Sequence, residues 1–193
     1  MAYSSNTGIE LVDGSRIAVI GGGPAGSFFS IYTLEYAGRF DLKLHLDIYE
    51  AKDLKKIGSA GCNHCGGIIS ESLVQELATD GLIIPSEVIQ RGINSYTMLT
   101  EQGTRVIRAP SDERRIASVF RGCGPKGCLD KSLQGFDNFL LELCRDKGAE
   151  VIYEKVTTLD KTADGILVGC SKSDPRMYDL VVGAAGLNKK TMG

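Results

Sequence analysis

The segment RIAVIGGGPAGSFFS at residues 16–30 constrains this chain more than any other. An apolar run, then Gly21, Gly22, Gly23, Pro24, Ala25 and Gly26, then further apolar residues, reads as strand, turn and helix with glycines spaced G-x-G-x-x-G. The first glycine permits a tight turn, the second lets a pyrophosphate approach the backbone, and the third lets the helix pack closely on the strand. N–H groups at the helix start then face the phosphate. Residues 42–49 alternate apolar and polar side chains with the period of a strand and end at Glu50, 24 residues beyond Gly26. An acid there can accept hydrogen bonds from a ribose. Strand, glycine turn, helix, strand and acid in this order predict dinucleotide binding.

Composition bounds the rest. A chain of 193 residues with 42% hydrophobic content can bury a real core, as one domain or as one domain and part of another. Its 22 Lys and Arg against 24 Asp and Glu leave a net charge of −2, which disfavours nucleic acid as a partner. Residues 1–15 lack the basic and apolar regions of a secretory signal, and no apolar run reaches the length of a membrane span. A cytoplasmic protein is expected, with its six cysteines as thiols, metal ligands or redox partners rather than structural disulfides. Peripheral membrane contact stays open.

Along the chain, residues 24–37 predict a largely apolar helix carrying Phe28, Phe29, Ile31, Tyr32 and Leu34, buried against a sheet and ended by Gly38. After a basic, glycine-bearing loop and the run Cys62 to Ile69, Ser72 and Gln75 are spaced as the capping box of a second helix. Residues 95–100 and 104–108 read as an antiparallel hairpin and residues 116–120 as a further strand, so an antiparallel segment is inserted into the nucleotide-binding fold. Phe136, Phe139, Leu140 and Leu143 share one helical face, stopped by Gly148. Strands are expected at residues 151–153 and 166–168, and residues 179–186 read as a buried strand running into a small-residue turn. The expected class is α/β: a Rossmann-like domain with a parallel sheet, built from residues 1–82 and 135–193, with an antiparallel β segment of a partial substrate domain at 83–134.

These motifs carry a family resemblance. The GGGPAG turn, Glu50, the Cys65-Gly66-Gly67 segment, Phe136-Asp137 with Leu140 and Leu141 before Gly148, and the closing DLVVGAAG of residues 179–186 resemble FAD-dependent oxidoreductases of the geranylgeranyl reductase type, among the p-hydroxybenzoate hydroxylase-like flavoproteins. The resemblance implies that Gly21, Gly23 and Gly26, with Pro24 and Ala25 in the same turn, hold the FAD pyrophosphate. It implies that Glu50 holds the adenosine ribose and that Val156 meets the adenine through its backbone. Gly66 and Gly67 would lie with Cys62 and Cys65 beside the isoalloxazine. Two positions depart from the pattern: Ala185 replaces an acid before the last glycine, and Gln134 stands where an arginine often precedes the Phe-Asp pair, which removes a fixed positive charge. Relatives continue well beyond position 193, so a fragment or truncated chain is expected.

The cysteines admit three readings. Cys62 and Cys65 have C-x-x-C spacing at a helix start, where Lys55, Lys56 and the helix field can lower a thiol pKa. With Cys123 and Cys128 they could also form a four-sulfur site for zinc or an iron–sulfur cluster. Inert packing is the third reading, and the simplest for Cys144 and Cys170. His64 reads as a loop histidine and His45 as a strand residue on a polar face. The leading expectation is an FAD-dependent oxidoreductase that passes hydride from reduced flavin to the double bond of an apolar or prenyl-type substrate, with Cys65 against flavin or substrate and NAD(P)H as a candidate electron donor. One alternative is a dithiol at Cys62 and Cys65 exchanging electrons with flavin. The other is a non-catalytic FAD-, metal- or cluster-binding electron-transfer module with a redox partner.

Overall fold

The computed structural model describes residues 10–54, 67–108, 116–121 and 134–186. The chain divides into two compact units, Met1–Asp53 with Leu140–Gly193, and Leu54–Phe139.

In the first unit, β1 (Arg16–Ile20) leads through the glycine turn into α1 (Pro24–Arg39) and then β2 (His45–Tyr49). With β8 (Glu150–Ile152) and β12 (Leu180–Gly183) these strands form a parallel sheet in the order β12-β1-β2-β8. Parallel strands are covered on both faces, and this sheet shows why. Ile17, Val19, Leu46 and Ile48 are buried on one side, while Ala18 and Ile20 share the other with Asp47 and Tyr49. That second face packs on an antiparallel meander of β9 (Val156–Lys161), β10 (Ile166–Cys170) and β11 (Arg176–Tyr178). Ala18, Ile20 and Tyr49 form one cluster with Val156, Val168 and Tyr178. Only residues 166–168 of this meander are legible from apolar alternation in the sequence, because β9 is exposed along most of its length.

The helix α1 buries a different face from the one its large residues predict. Gly26, Ser27, Ser30, Ile31 and Ala37 are buried, whereas Phe28, Phe29, Tyr32 and Leu34 are half-buried and Tyr36 is exposed. Small residues bring the helix close to the sheet, and the buried serine hydroxyls are satisfied by donating to the Gly22 and Gly26 carbonyls. The helix also runs past Gly38. It ends where Asp41 takes φ of +54°, with Leu42 N–H donating to the Ala37 carbonyl and Asp41 N–H to Gly38, a Schellman closure with aspartate at the left-handed position.

The second unit holds an antiparallel sheet in the order β3-β7-β4, from β3 (Ile68–Ser70), β4 (Ile89–Ile93) and β7 (Ile116–Val119). The strand β3 pairs with β7, so residues 68–70 belong to this antiparallel sheet. A separate hairpin joins β5 (Ser95–Thr100) to β6 (Gly103–Arg108) across Glu101 and Gln102. The helix α2 (Glu71–Thr79) is capped by Ser70, whose hydroxyl accepts from Leu73 N–H at 3.2 Å, two residues before the expected cap at Ser72. The short strand β3 ends on Ser70 and sets the extended geometry a cap requires. The helix α3 (Phe136–Asp146) starts in this unit and continues in the first, and Gly148 follows it at φ of +100°. Among the described residues, no helix is long and apolar enough to cross a membrane.

Candidate functional site

The glycine turn between β1 and α1 shows what each glycine does. Gly21 takes φ of +112°, and a Cβ there would strike the Ala184 carbonyl oxygen, in the turn after β12. A Cβ on Gly26 would collide with the Gly21 carbonyl oxygen and press on the Val19 side chain at 3.1 Å. A Cβ on Gly22 would meet Leu141 Cδ2 at 2.9 Å and the Glu50 Cβ at 3.2 Å. Gly21 and Gly26 are required by the protein's own backbone packing, and Gly22 is closely approached by the Leu141 side chain. Gly23 differs: its φ is −71° and, among the described residues, a Cβ there would meet nothing within 4 Å.

Gly23 is the N-cap of α1, and among the described residues no side chain caps the helix. Pro24 occupies the first turn without an N–H to satisfy, and no acidic residue stands there. The first intrahelical bond runs from Ser27 N–H to the Gly23 carbonyl at 2.9 Å. The Ala25 and Gly26 amides therefore precede the intrahelical ladder, at the end of a 16-residue helix where the dipole favours an anion. Ala25 is exposed.

Glu50 lies at the end of β2, beside this turn. Its Oε2 accepts from the Gly22 N–H at 2.9 Å and its Oε1 from the Lys52 N–H at 2.9 Å. Each carboxylate oxygen has a second lone pair for a further donor. Val156 begins β9 with its side chain in the core against Ala18, Ile20 and Tyr49.

The remaining expected residues lie elsewhere. Gly67 belongs to the second unit, at φ of +61°, where a Cβ would strike the Val119 carbonyl oxygen while its own carbonyl accepts from Val119 N–H at 2.7 Å. The start of β3 against β7 requires a glycine there on packing grounds alone. Cys62, His64, Cys65, Gly66, Cys123 and Cys128, with Lys55 and Lys56, lie outside the described residues. Among the described residues no cluster of His, Cys, Asp and Glu is arranged to hold a metal. Cys144 is buried on α3 with its thiol donating to the Ser27 carbonyl at 3.4 Å, and burial pushes that thiol up to about 12. The Cys170 thiol is also raised, by burial and then by the charge of Glu154.

Two charged arrangements escape a reading of the sequence alone. Arg121, directly after β7, makes a bidentate pair with Asp137 in the first turn of α3, both bonds 2.8 Å, so a guanidinium stands beside the Phe-Asp pair although Gln134 is not an arginine. Only the quoted Phe-Asp pair hinted at it. In the first unit, Asp47 accepts from Tyr178 Oη at 2.5 Å and from Arg176 at 3.1 Å, and the Tyr178 hydroxyl lies 2.6 Å from that of Tyr49. An acid at position 47, on the same face as Tyr49, was its signal. Burial and then the bond to Asp47 hold the Tyr178 hydroxyl protonated far above the ordinary range.

No family model and no curated protein matches the sequence. Solved structures do match. The flavin-dependent brominase Bmp2 superposes with a TM-score of 0.59 at 16% identity, over 90% of this chain and 39% of its own. The halogenase PltM, crystallised with phloroglucinol and FAD, gives 0.58 at 17%, over 89% of this chain and 34% of its own. The Diels-Alderase PyrE3 gives 0.55 at 19%, over 89% and 32%. The chain has the fold of part of these enzymes. It spans between about a third and two fifths of their length. The likeness is to that fold as a whole, and does not single out the geranylgeranyl reductase type.

Proposed function

We propose that this chain is the dinucleotide-binding part of an FAD-dependent enzyme, with the FAD pyrophosphate over Gly23 at the start of α1 and the adenosine ribose on Glu50. The observation that carries this reading is the contrast among the glycines. Gly21, Gly22 and Gly26 are held by close protein contacts, but nothing in the described structure explains why position 23 lacks a side chain. A ligand approaching the backbone there does. The uncapped helix start supports an anionic ligand, and the match to a halogenase crystallised with FAD supports this dinucleotide.

The residues fit the group. The Ala25 and Gly26 amides would donate to phosphate oxygens, Pro24 keeps the first turn free of a competing donor, and the second lone pairs of Glu50 would take ribose hydroxyls. When bound, FAD supplies two-electron chemistry, and the reaction class we propose is hydride transfer from reduced flavin to the double bond of an apolar or prenyl-type substrate.

Gly23→Ala separates binding from folding. The substitution should leave the unfolding free energy in urea within about 0.5 kcal/mol of wild type while weakening FAD binding, followed by flavin fluorescence quenching, at least about tenfold. Gly26→Ala should instead lower stability by about 2 kcal/mol or more, because its Cβ meets backbone. Unchanged FAD affinity in Gly23→Ala, or no FAD binding by wild type, overturns the reading.

A further inference from the structure

We propose that Glu50 is a positioning residue for the phosphate cradle itself, holding the glycine turn through two backbone amides in addition to any bond it offers a ribose. The carboxylate ties two segments together. Oε2 takes the N–H of Gly22 inside the turn, and Oε1 takes the N–H of Lys52 on the segment leaving β2, each at 2.9 Å. Hydrogen bonds from amides to an ionised carboxylate are about twice as strong as neutral ones.

The Gly22 residue is held at both ends. Its N–H goes to Glu50, and its carbonyl accepts from the buried Ser27 hydroxyl at 3.1 Å. Packing narrows the remaining direction, since a Cβ on Gly22 would lie 2.9 Å from Leu141 Cδ2 and 3.2 Å from the Glu50 Cβ. The Gly22 carbonyl and the Gly23 N–H belong to one planar trans peptide and point opposite ways. With the carbonyl turned to Ser27, the Gly23 N–H is aimed away from it. Glu50 and Ser27 together thus set the orientation of the amide at the glycine whose Cβ position is open.

Bracing and ribose binding do not compete, because each carboxylate oxygen engaged by an amide keeps a lone pair. A glutamine at position 50 cannot reproduce the brace: its amide nitrogen would face one of the two N–H groups donor to donor.

The ligand half of this inference rests on the dinucleotide reading above, and the brace can be tested without it. Backbone hydrogen exchange is measured by NMR on the ligand-free chain, wild type and Glu50→Gln. Exchange at Gly22 and Lys52 should quicken about tenfold, with Ala184, whose N–H donates to the Ile20 carbonyl, unchanged as the internal control. Unchanged exchange at Gly22 overturns the proposal. Glu50→Asp, which keeps the charge on a shorter stem, should give the same acceleration and serves if Glu50→Gln does not fold. In a second arm, both proteins are titrated with ADP and with 2′,3′-dideoxy-ADP. A ribose role alone leaves dideoxy-ADP affinity equal in the two proteins and overturns the cradle role; bracing weakens it about tenfold in Glu50→Gln. Wild type that binds neither nucleotide defeats the dinucleotide reading, while the exchange measurement still decides the brace.

Discussion

A buried side chain that never meets a ligand can still set how the protein responds to pH. Cys144 lies against Ser27 in the interior of the first unit, and burial raises its thiol from 9.0 to about 12. A folded-state pKa above the unfolded value means stability that is complete below pH 9 and is lost as pH rises from 9 toward 12. The urea midpoint should therefore be level between about pH 7 and 8.5 and fall above 9, with Cys144→Ala reducing the slope of that fall. Tyr49, Tyr178 and Cys170 are raised too, so part of the decline persists in the variant. An Ellman assay at pH 8 should find Cys144 unreactive until the chain unfolds. The sequence reads Cys144 most simply as a packing residue on its helix; the contact it makes is with Ser27, 117 residues away in sequence.

Between elements, the decisive contact joins the parallel sheet to the meander. Asp47 on β2 is almost inaccessible and receives Tyr178 from β11, while Arg176 bridges it to Glu150 on β8. Although burial opposes its charge, bonds to Glu150 and Asp47 raise the Arg176 guanidinium further above its already high value, so it stays cationic. Breaking the buried Tyr178–Asp47 bond leaves the Asp47 carboxylate a donor short, which is the costly direction. Tyr178→Phe should lower unfolding free energy by about 1–3 kcal/mol, and Tyr49→Phe by less, because the Tyr178 bond to Asp47 survives it; urea denaturation measures both. Equal losses would show that Asp47 is not the hub. Strand periodicity in residues 45–49 places Asp47 on one face, but whether that face meets water or a tyrosine depends on a partner 131 residues away.

At the scale of the whole molecule, the β5–β6 hairpin pairs with none of the other described strands and shows apolar side chains to water, with Leu99 80% and Val106 56% exposed. A two-stranded hairpin with apolar side chains uncovered is an aggregation hazard. Leu99→Lys with Val106→Lys should raise the solubility limit of the chain and suppress its concentration-dependent light scattering. The double substitution should leave the unfolding free energy within about 0.5 kcal/mol, since both side chains are mostly exposed. A large loss of stability would instead show that the hairpin is packed in solution.

By itself the sequence determined the strand, glycine turn, helix, strand and acid of residues 16–50, the hairpin at 95–108, and the helix at 136–146, because each is written in local periodicity, turn chemistry or helix stops. Most of its errors are also local: the cap at Ser70 rather than Ser72, the continuation of α1 past Gly38, and the unmarked strand β3. Tertiary structure alone decided which glycines the protein needs for its own packing, that Gly23 is the open one, that Glu50 holds Gly22 as well as facing the turn, and that Arg121 reaches Asp137. Those facts depend on what stands next to a backbone atom in space. Ala184 against Gly21 and Leu141 against Gly22 are brought there by strands and helices more than a hundred residues downstream, and no window of the sequence contains both partners.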